Sequence, residues 1–468
     1  MDATAGTLRT RREDRLEIAI AALAFLAVVA TFALRVIAAR NQPLTMDETF
    51  TGMIVSQHSL ADFIREARRD IAAPLYYSLM WLLPLNDSDF AMRLPSWAFM
   101  IIGSALPLMW RIPGQSRSAA IGWAALLYLW LPGTIFSVQA RPYALLFLVA
   151  TAQTIAFARL IEVPTLRRAF SWTACSSLTL LTHYFAAPLA LAQGLILLAV
   201  LGKRALPLWP SLLLVLIPTI ETITHYRQLA FFATSDANWL PPITFANLHD
   251  YLSYGLGTLG PVLLLIALGS RYFDRSEAIP RGAALASIAG AVALGILILA
   301  GWHRSLLVDR YLTACAPALM LAVITVAAGI GARILIVAVA SALAIYAAAG
   351  VPLRIREQSM EWSAEKIIPF RPAHLVYSLG YSGQQGLKPE TRRELGEFLF
   401  RRAGVTAQAR MVTTLDGREL IRAAGDDAAV IWVFYPRWQP LANAIARERH
   451  CFIAPRQLAC PPLHFAKR

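Results

Sequence analysis

Residues 142–160 read PYALLFLVATAQTIAFARL, nineteen positions carrying one charge, Arg159, close to the end. As a helix the stretch extends about 28 Å, close to the hydrocarbon thickness of a bilayer. It is the clearest of a series. Runs of comparable length begin near Leu16 and then centre on 91–110, 118–136, 168–182, 184–202, 205–224, 250–270, 282–301, 311–328 and 332–350. About eleven spans result, which predicts a polytopic α-helical membrane protein.

Composition agrees. Of 468 residues 57% are hydrophobic and 15% charged, whereas soluble domains run near 45–50% apolar and about 25% charged. A soluble enzyme, a nucleic-acid-binding domain and a disordered scaffold are excluded. The balance of 43 Lys+Arg against 29 Asp+Glu, +14, then reads as membrane topology rather than as affinity for nucleic acid.

Arg9, Arg11, Arg12 and Arg15 precede the first run, and Arg35 and Arg40 follow it with no small-residue cleavage site. We expect a retained first span with the N-terminus in the cytoplasm. The inner loops then hold Arg111 and Arg117; Arg159, Arg167 and Arg168; Lys203 and Arg204; Arg271, Arg275 and Arg281; and Arg333. Apart from the long first one, the opposite loops are poorer in basic residues, as the positive-inside rule requires. An odd number of spans puts residues 351–468 outside. The weakest assignment is 168–202, where Thr182-His183-Tyr184 must serve as a very tight outer turn. The segment Pro74 to Pro84 is apolar but about half of spanning length and fits a juxtamembrane helix.

The expected organisation is a transmembrane domain over 1–350, with its first outer loop at 41–90, and a small C-terminal α/β domain over 351–468. In the latter, strand-like pieces (His374–Leu379, Arg410–Leu415, Ala429–Tyr435) alternate with helical ones (Pro389–Arg402, Leu441–His450). Cys175 and Cys315 lie in apolar runs as packed thiols. Cys451 and Cys460 lie nine positions apart in the tail, and an outer compartment would permit a bond between them.

Chemistry concentrates on the outer side. Asp47 and Glu48 stand just beyond the first span; adjacent helical residues point about 100° apart, so only one can face a given cavity. Gln139-Ala140-Arg141-Pro142-Tyr143 opens the fourth span and His183-Tyr184 forms an outer turn. Trp302-His303-Arg304 and Asp309-Arg310-Tyr311 flank the tenth span. Singly these are loop acids, snorkelling arginines and interfacial aromatics. Together, an acid and several guanidiniums on one face are what transfer from a lipid phosphate needs.

The order of these motifs resembles the GT-C glycosyltransferases, in particular the bacterial group related to protein O-mannosyltransferases and aminoarabinose–lipid A transferases. The matching pieces are Asp47-Glu48, Ala73-Pro74-Leu75-Tyr76-Tyr77, Phe90-Ala91-Met92-Arg93-Leu94-Pro95-Ser96, Ala140-Arg141-Pro142-Tyr143, His183-Tyr184 and Asp309-Arg310-Tyr311-Leu312, covering roughly residues 15–350. The resemblance implies a sugar moved from a polyprenyl-phosphate donor to a lipid, glycan or protein acceptor on the outer face of a bacterial inner membrane. It implies Asp47 as catalytic base, with Glu48 beside it orienting a loop or neutralising an arginine. Arg310, helped by Arg141 and Arg304, would hold the donor phosphate. Tyr76, Tyr77, Tyr143, His183, Tyr184, His303 and Tyr311 would line the substrate site.

Two departures stand out. Gln139 replaces an acid that members often carry before the Arg-Pro-Tyr element, which leaves a divalent cation an open question. Ala72-Ala73 stands where lipid A-modifying members carry a lysine, which argues against aminoarabinose transfer. The rival reading is a transporter or lipid flippase. It would require inverted repeats, broken helices in both halves and mid-span ionisable residues, and the chain shows no evident symmetry of that kind.

Overall fold

The computed structural model describes residues 42–70, 72–83, 85, 88–234, 243–256, 278–303, 308–330, 360–379, 389–414, 416–434 and 436–463, with scattered positions at 18–40 and 339–343. The expected spans near Leu16, at 250–270 and at 332–350 lie largely outside these residues. Among the described residues four helices are long and apolar enough to cross a membrane: Asp89–Met109, Tyr143–Glu162, Tyr184–Arg227 and Arg281–His303. Arg117–Tyr128 and Leu131–Ser137 add a fifth if that pair, bent by 61°, is one span.

Several runs thus differ in form from the eleven spans expected. The 118–136 run breaks at Trp130, because Pro132 starts a new helix and cannot continue the old one. The 168–182 run is a helix of 17 residues, Leu166–Thr182. The 311–328 run divides into a 3-10 turn, Asp309–Ala314, and a helix, Ala316–Ile330. Runs 184–202 and 205–224 join as one helical stretch interrupted at Gly202, whose φ of +52° suits a residue without Cβ. The Ser177 hydroxyl donates to the Leu214 carbonyl at 3.0 Å, so the arm after Gly202 runs back along Leu166–Thr182.

We label the helices of the loop that follows the first apolar run α1 (Met46–Val55), α2 (Leu60–Ala67) and α3 (Leu75–Leu82). They are followed by α4 (Asp89–Met109), α5 (Arg117–Tyr128), α6 (Leu131–Ser137), α7 (Tyr143–Glu162) and α8 (Leu166–Thr182). Then come α9 (Ala187–Leu201), α10 (Leu216–Thr234), α11 (Phe245–Leu256), α12 (Arg281–His303) and α13 (Ala316–Ile330). With eight residues, α3 is far too short to cross a bilayer. Helix α7 is the hub, buried along nearly its whole length among α4, α8 and α12. A Cβ on Gly282 would strike the Ala158 carbonyl, so α12 can approach α7 this closely only through glycine. Outward, Leu191, Leu195 and Leu198 form an exposed apolar stripe at helical spacing, the face expected toward lipid.

The C-terminal part is an α/β layer structure. Its helices are α14 (Met360–Ile367), α15 (Pro389–Arg402), α16 (Gly417–Ala424) and α17 (Gln439–Arg449). The strands are β1 (His374–Leu379), β2 (Gln408–Met411), β3 (Ala429–Val433), β4 (Phe452–Ala454) and β5 (Gln457–Cys460), ordered β2-β1-β3-β5-β4. The β1–β2 and β1–β3 pairs are parallel, and β5 and β4 continue antiparallel. Every residue of β3 is buried, which fits a sheet covered on both faces. Leu375, Tyr377, Ile431 and Val433 face α15, while Val376, Val430 and Trp432 face α16 and α17. Cys451 and Cys460 are bonded and tie the end of α17 to β5.

This layer packs against the loop that bears α1 and α2. Met53 of α1 joins the cluster under β1 and α15, and Gly52 leaves room for the Phe398 ring. Arg69 bonds Glu394 at 2.5 Å, and Arg402 pairs with Asp89 at the start of α4. The helix bearing Asp47 is therefore clamped between the transmembrane bundle and the sheet.

Candidate active site

Local sequence starts the site. Thr45 is the N-cap of α1: its hydroxyl accepts the Glu48 amide, and the Glu48 carboxylate accepts the Thr45 amide at 2.8 Å. This capping box turns Glu48 back over the helix start and sends Asp47, one residue earlier, in another direction.

Glu48 is fully buried, with both carboxylate oxygens engaged. Oε1 accepts from Arg93 Nε and from the Ala140 amide, each at 2.8 Å; Oε2 accepts from Arg93 Nη2 and the Thr45 amide, each at 2.8 Å. Arg93 also donates to the carbonyls of Gln42 (2.6 Å) and Pro43 (2.9 Å). A carboxylate with four donors on it has no lone pair left for a substrate proton. Glu48 is thus the neutralising partner of Arg93, and this closed knot fixes α1 against α4 and the Ala140 loop.

Asp47 is different. Its side chain is 40% exposed, and its Oδ2 meets Arg310 Nη1 at 3.0 Å. Arg310, 28% exposed, lies on the 3-10 turn before α13, with its guanidinium 5.8 Å from the centre of the Tyr143 ring. Arg141 Nη1 donates to the Asp47 carbonyl (3.1 Å), the Tyr77 hydroxyl (3.2 Å) and Asp70 Oδ2 (3.4 Å), and the Tyr77 hydroxyl donates to Asp70. Arg141 is buried and already braces three groups, so Arg310 is the more accessible of the two guanidiniums. Asp70 follows α2 and the buried Tyr77 lies on α3, and burial raises the Tyr77 phenol well above its ordinary value.

An aromatic wall closes one side. The His183 ring lies 4.9 Å from Tyr311 and 5.9 Å from Tyr143, and Tyr311 stacks on Phe185 at 4.4 Å. Burial, with Arg141 and Arg310 nearby, pushes the His183 imidazole down to about 3. It is neutral at ordinary pH, and its Nδ1 accepts the Phe185 amide at 3.3 Å.

Of the residues expected at the site, the structure brings together Asp47, Arg141, Arg310, Tyr77, Tyr143, His183 and Tyr311. Tyr76 is wholly buried, 3.5 Å from the Ser96 hydroxyl, and supports α3 against α4. The Tyr184 hydroxyl meets His225 Nδ1 at 2.8 Å, and His225 Nε2 meets the Arg68 carbonyl at 2.9 Å, a brace from α10 to the end of α2. His303 is exposed at the end of α12, with no contact to the cluster among the described residues. Arg304 lies outside the described residues. Asp70 and Phe185 were not foreseen: the one resembles any loop acid, the other any apolar residue at a helix end. Among the described residues no three His, Cys, Asp or Glu side chains gather as a metal cluster.

Neither a family model nor a curated protein sequence matches the chain. Among solved structures it is similar to ArnT from Cupriavidus metallidurans, with a TM-score of 0.59 to the apo state and 0.54 to the structure bound to undecaprenyl phosphate. Each match has 11% identity and covers 93% of this chain and 97% of that one. At such identity the likeness is one of fold: the chain has the GT-C fold.

Proposed function

We propose that the chain is a membrane glycosyltransferase that moves a sugar from a polyprenyl-phosphate donor to an acceptor hydroxyl on the outer face of a bacterial inner membrane. The observation that carries this reading is the accessible Asp47–Arg310 pair at the outer end of a GT-C bundle. ArnT, which shares this fold, has been solved with undecaprenyl phosphate bound.

In the resting chain Arg310 occupies the Asp47 carboxylate. A donor phosphate offers the guanidinium two parallel oxygens and competes for it. Asp47 is then released for the acceptor. As the acceptor oxygen attacks the anomeric carbon, its proton passes to Asp47, the bond from that carbon to the phosphate oxygen breaks, and Arg310 holds the leaving polyprenyl phosphate. Direct displacement with one base implies inversion. Tyr143, His183 and Tyr311 form an apolar, uncharged wall suited to a sugar face. The C-terminal α/β part, residues 351–468, is a periplasmic domain that holds α1 in place, and its disulfide suits an oxidising compartment. Incubating membranes with a radiolabelled polyprenyl-phosphate sugar tests the reading: wild type should release polyprenyl phosphate, and Asp47→Asn should not. Equal release from the two would refute it.

A further inference from the structure

An apolar cavity of about 710 Å³ lies between Ala21 and Phe25, α4 and α5. That is within the roughly 300–1,000 Å³ of small-molecule sites, and the Asp47 chemistry does not use it. Phe25, Leu108 and Ile121 line it; the buried Tyr128 lies at one end of α5, and the exposed Arg111 and Arg117 lie at the other, which we take as its mouth.

Three features define its occupant. The first is position. Helix α4 begins at Asp89, which accepts the Leu44 amide beside α1, and runs 21 residues to Met109. Its far end is therefore about 30 Å from the face that carries Asp47, and the mouth belongs to the opposite leaflet. The second is depth. Arg117 to Tyr128 along α5 is about 16 Å, close to half the hydrocarbon core. The cavity is one leaflet deep. The third is charge. Arg111 and Arg117 are exposed and meet no acid among the described residues. They are held apart by a turn in which the Gln115 amide bonds the Ile112 carbonyl and Gly114 takes a φ of +78°. Arg159 donates to the Arg111 carbonyl at 2.5 Å and fixes that turn to the end of α7.

We propose that this cavity is a binding site for an anionic glycerophospholipid of the leaflet opposite the Asp47 face, one acyl chain in the slot and its phosphate on Arg111 and Arg117. A polyprenyl phosphate is disfavoured because its head group belongs at the other face. The site stands whether or not Asp47 is a catalytic base.

Native mass spectrometry of the full chain tests it, with equimolar phosphatidylglycerol and phosphatidylcholine of identical acyl chains. Wild type should retain one phosphatidylglycerol with roughly tenfold or greater preference, from two guanidiniums near one phosphate. Arg111→Gln with Arg117→Gln should erase the preference, while Arg111→Lys with Arg117→Lys, which keeps the charge that sets topology, should preserve most of it. Ile121→Trp, which fills the slot and leaves both arginines in place, should lower retention of both lipids. Equal retention by wild type, an undiminished preference in the Gln variant, unchanged retention in Ile121→Trp, or displacement of phosphatidylglycerol by added polyprenyl phosphate would each overturn the proposal.

Discussion

Arg310 Nη1 lies 3.0 Å from Asp47 Oδ2, an ion pair across 263 positions of chain. It joins the first outer loop to the turn before α13. Both side chains keep part of their surface open, unlike the closed Glu48–Arg93 pair a few ångströms along the same helix start.

Asp47→Asn keeps size and hydrogen bonding and removes the proton acceptor. Transfer should fall by about 10²–10⁴-fold, with expression and donor binding near normal, as read by polyprenyl phosphate release. Wild-type rates in Asp47→Asn, with Glu48→Gln inactive despite normal folding, would mean that the wrong acid has been assigned.

Arg310→Ala should lower turnover by roughly 10²-fold, the scale for loss of one preorganised donor to developing charge. Arg310→Lys should recover part of it, because a lysine offers charge without the paired N–H geometry. Both variants should insert and fold. Unchanged donor affinity and rate in Arg310→Ala would reduce the residue to a snorkelling anchor.

Arg93→Met strands the Glu48 carboxylate in a buried position. The expected loss is about 3–5 kcal/mol, seen as a lower unfolding temperature in detergent. Adding Glu48→Gln to Arg93→Met should restore part of the loss. If Arg93→Met unfolds like wild type, the knot is not what fixes α1.

His183 titrates near 3 in the folded chain, against about 6.5 for the free side chain. Between those values the unfolded chain binds the extra proton, so stability rises with pH across this window and is lost as pH falls below about 6.5. Unfolding temperature should therefore drop between pH 7 and 5, and His183→Asn should flatten that slope. An unaltered slope in the variant would assign the acid sensitivity to other groups.

Cys451→Ser with Cys460→Ser opens a short loop, which by the loop-entropy relation costs about 2–3 kcal/mol, localised to the sheet and α17. Limited proteolysis of the outer part should accelerate in the variant. A reporter fused at Arg468 that is active only in the cytoplasm would contradict a periplasmic tail.

Sequence by itself determined the class of the protein. Apolar length is a sum over many residues, and no packing detail can reverse it. Equally readable was β1 over His374–Leu379, a short β-branched and aromatic run ahead of a helix. What only tertiary structure decided is the sorting of equal-looking polar residues. Asp47 and Glu48 are neighbours with the same chemistry; Arg93, 45 positions away, and the Ala140 amide, 92 away, consume one of them. Arg141 and Arg310 read alike as interfacial arginines, yet Asp70 and Tyr77 engage the first and leave the second on an exposed acid. Hydrogen-bond capacity is finite and short-ranged, so the free side chain is known only once the fold has brought its competitors within about 3 Å.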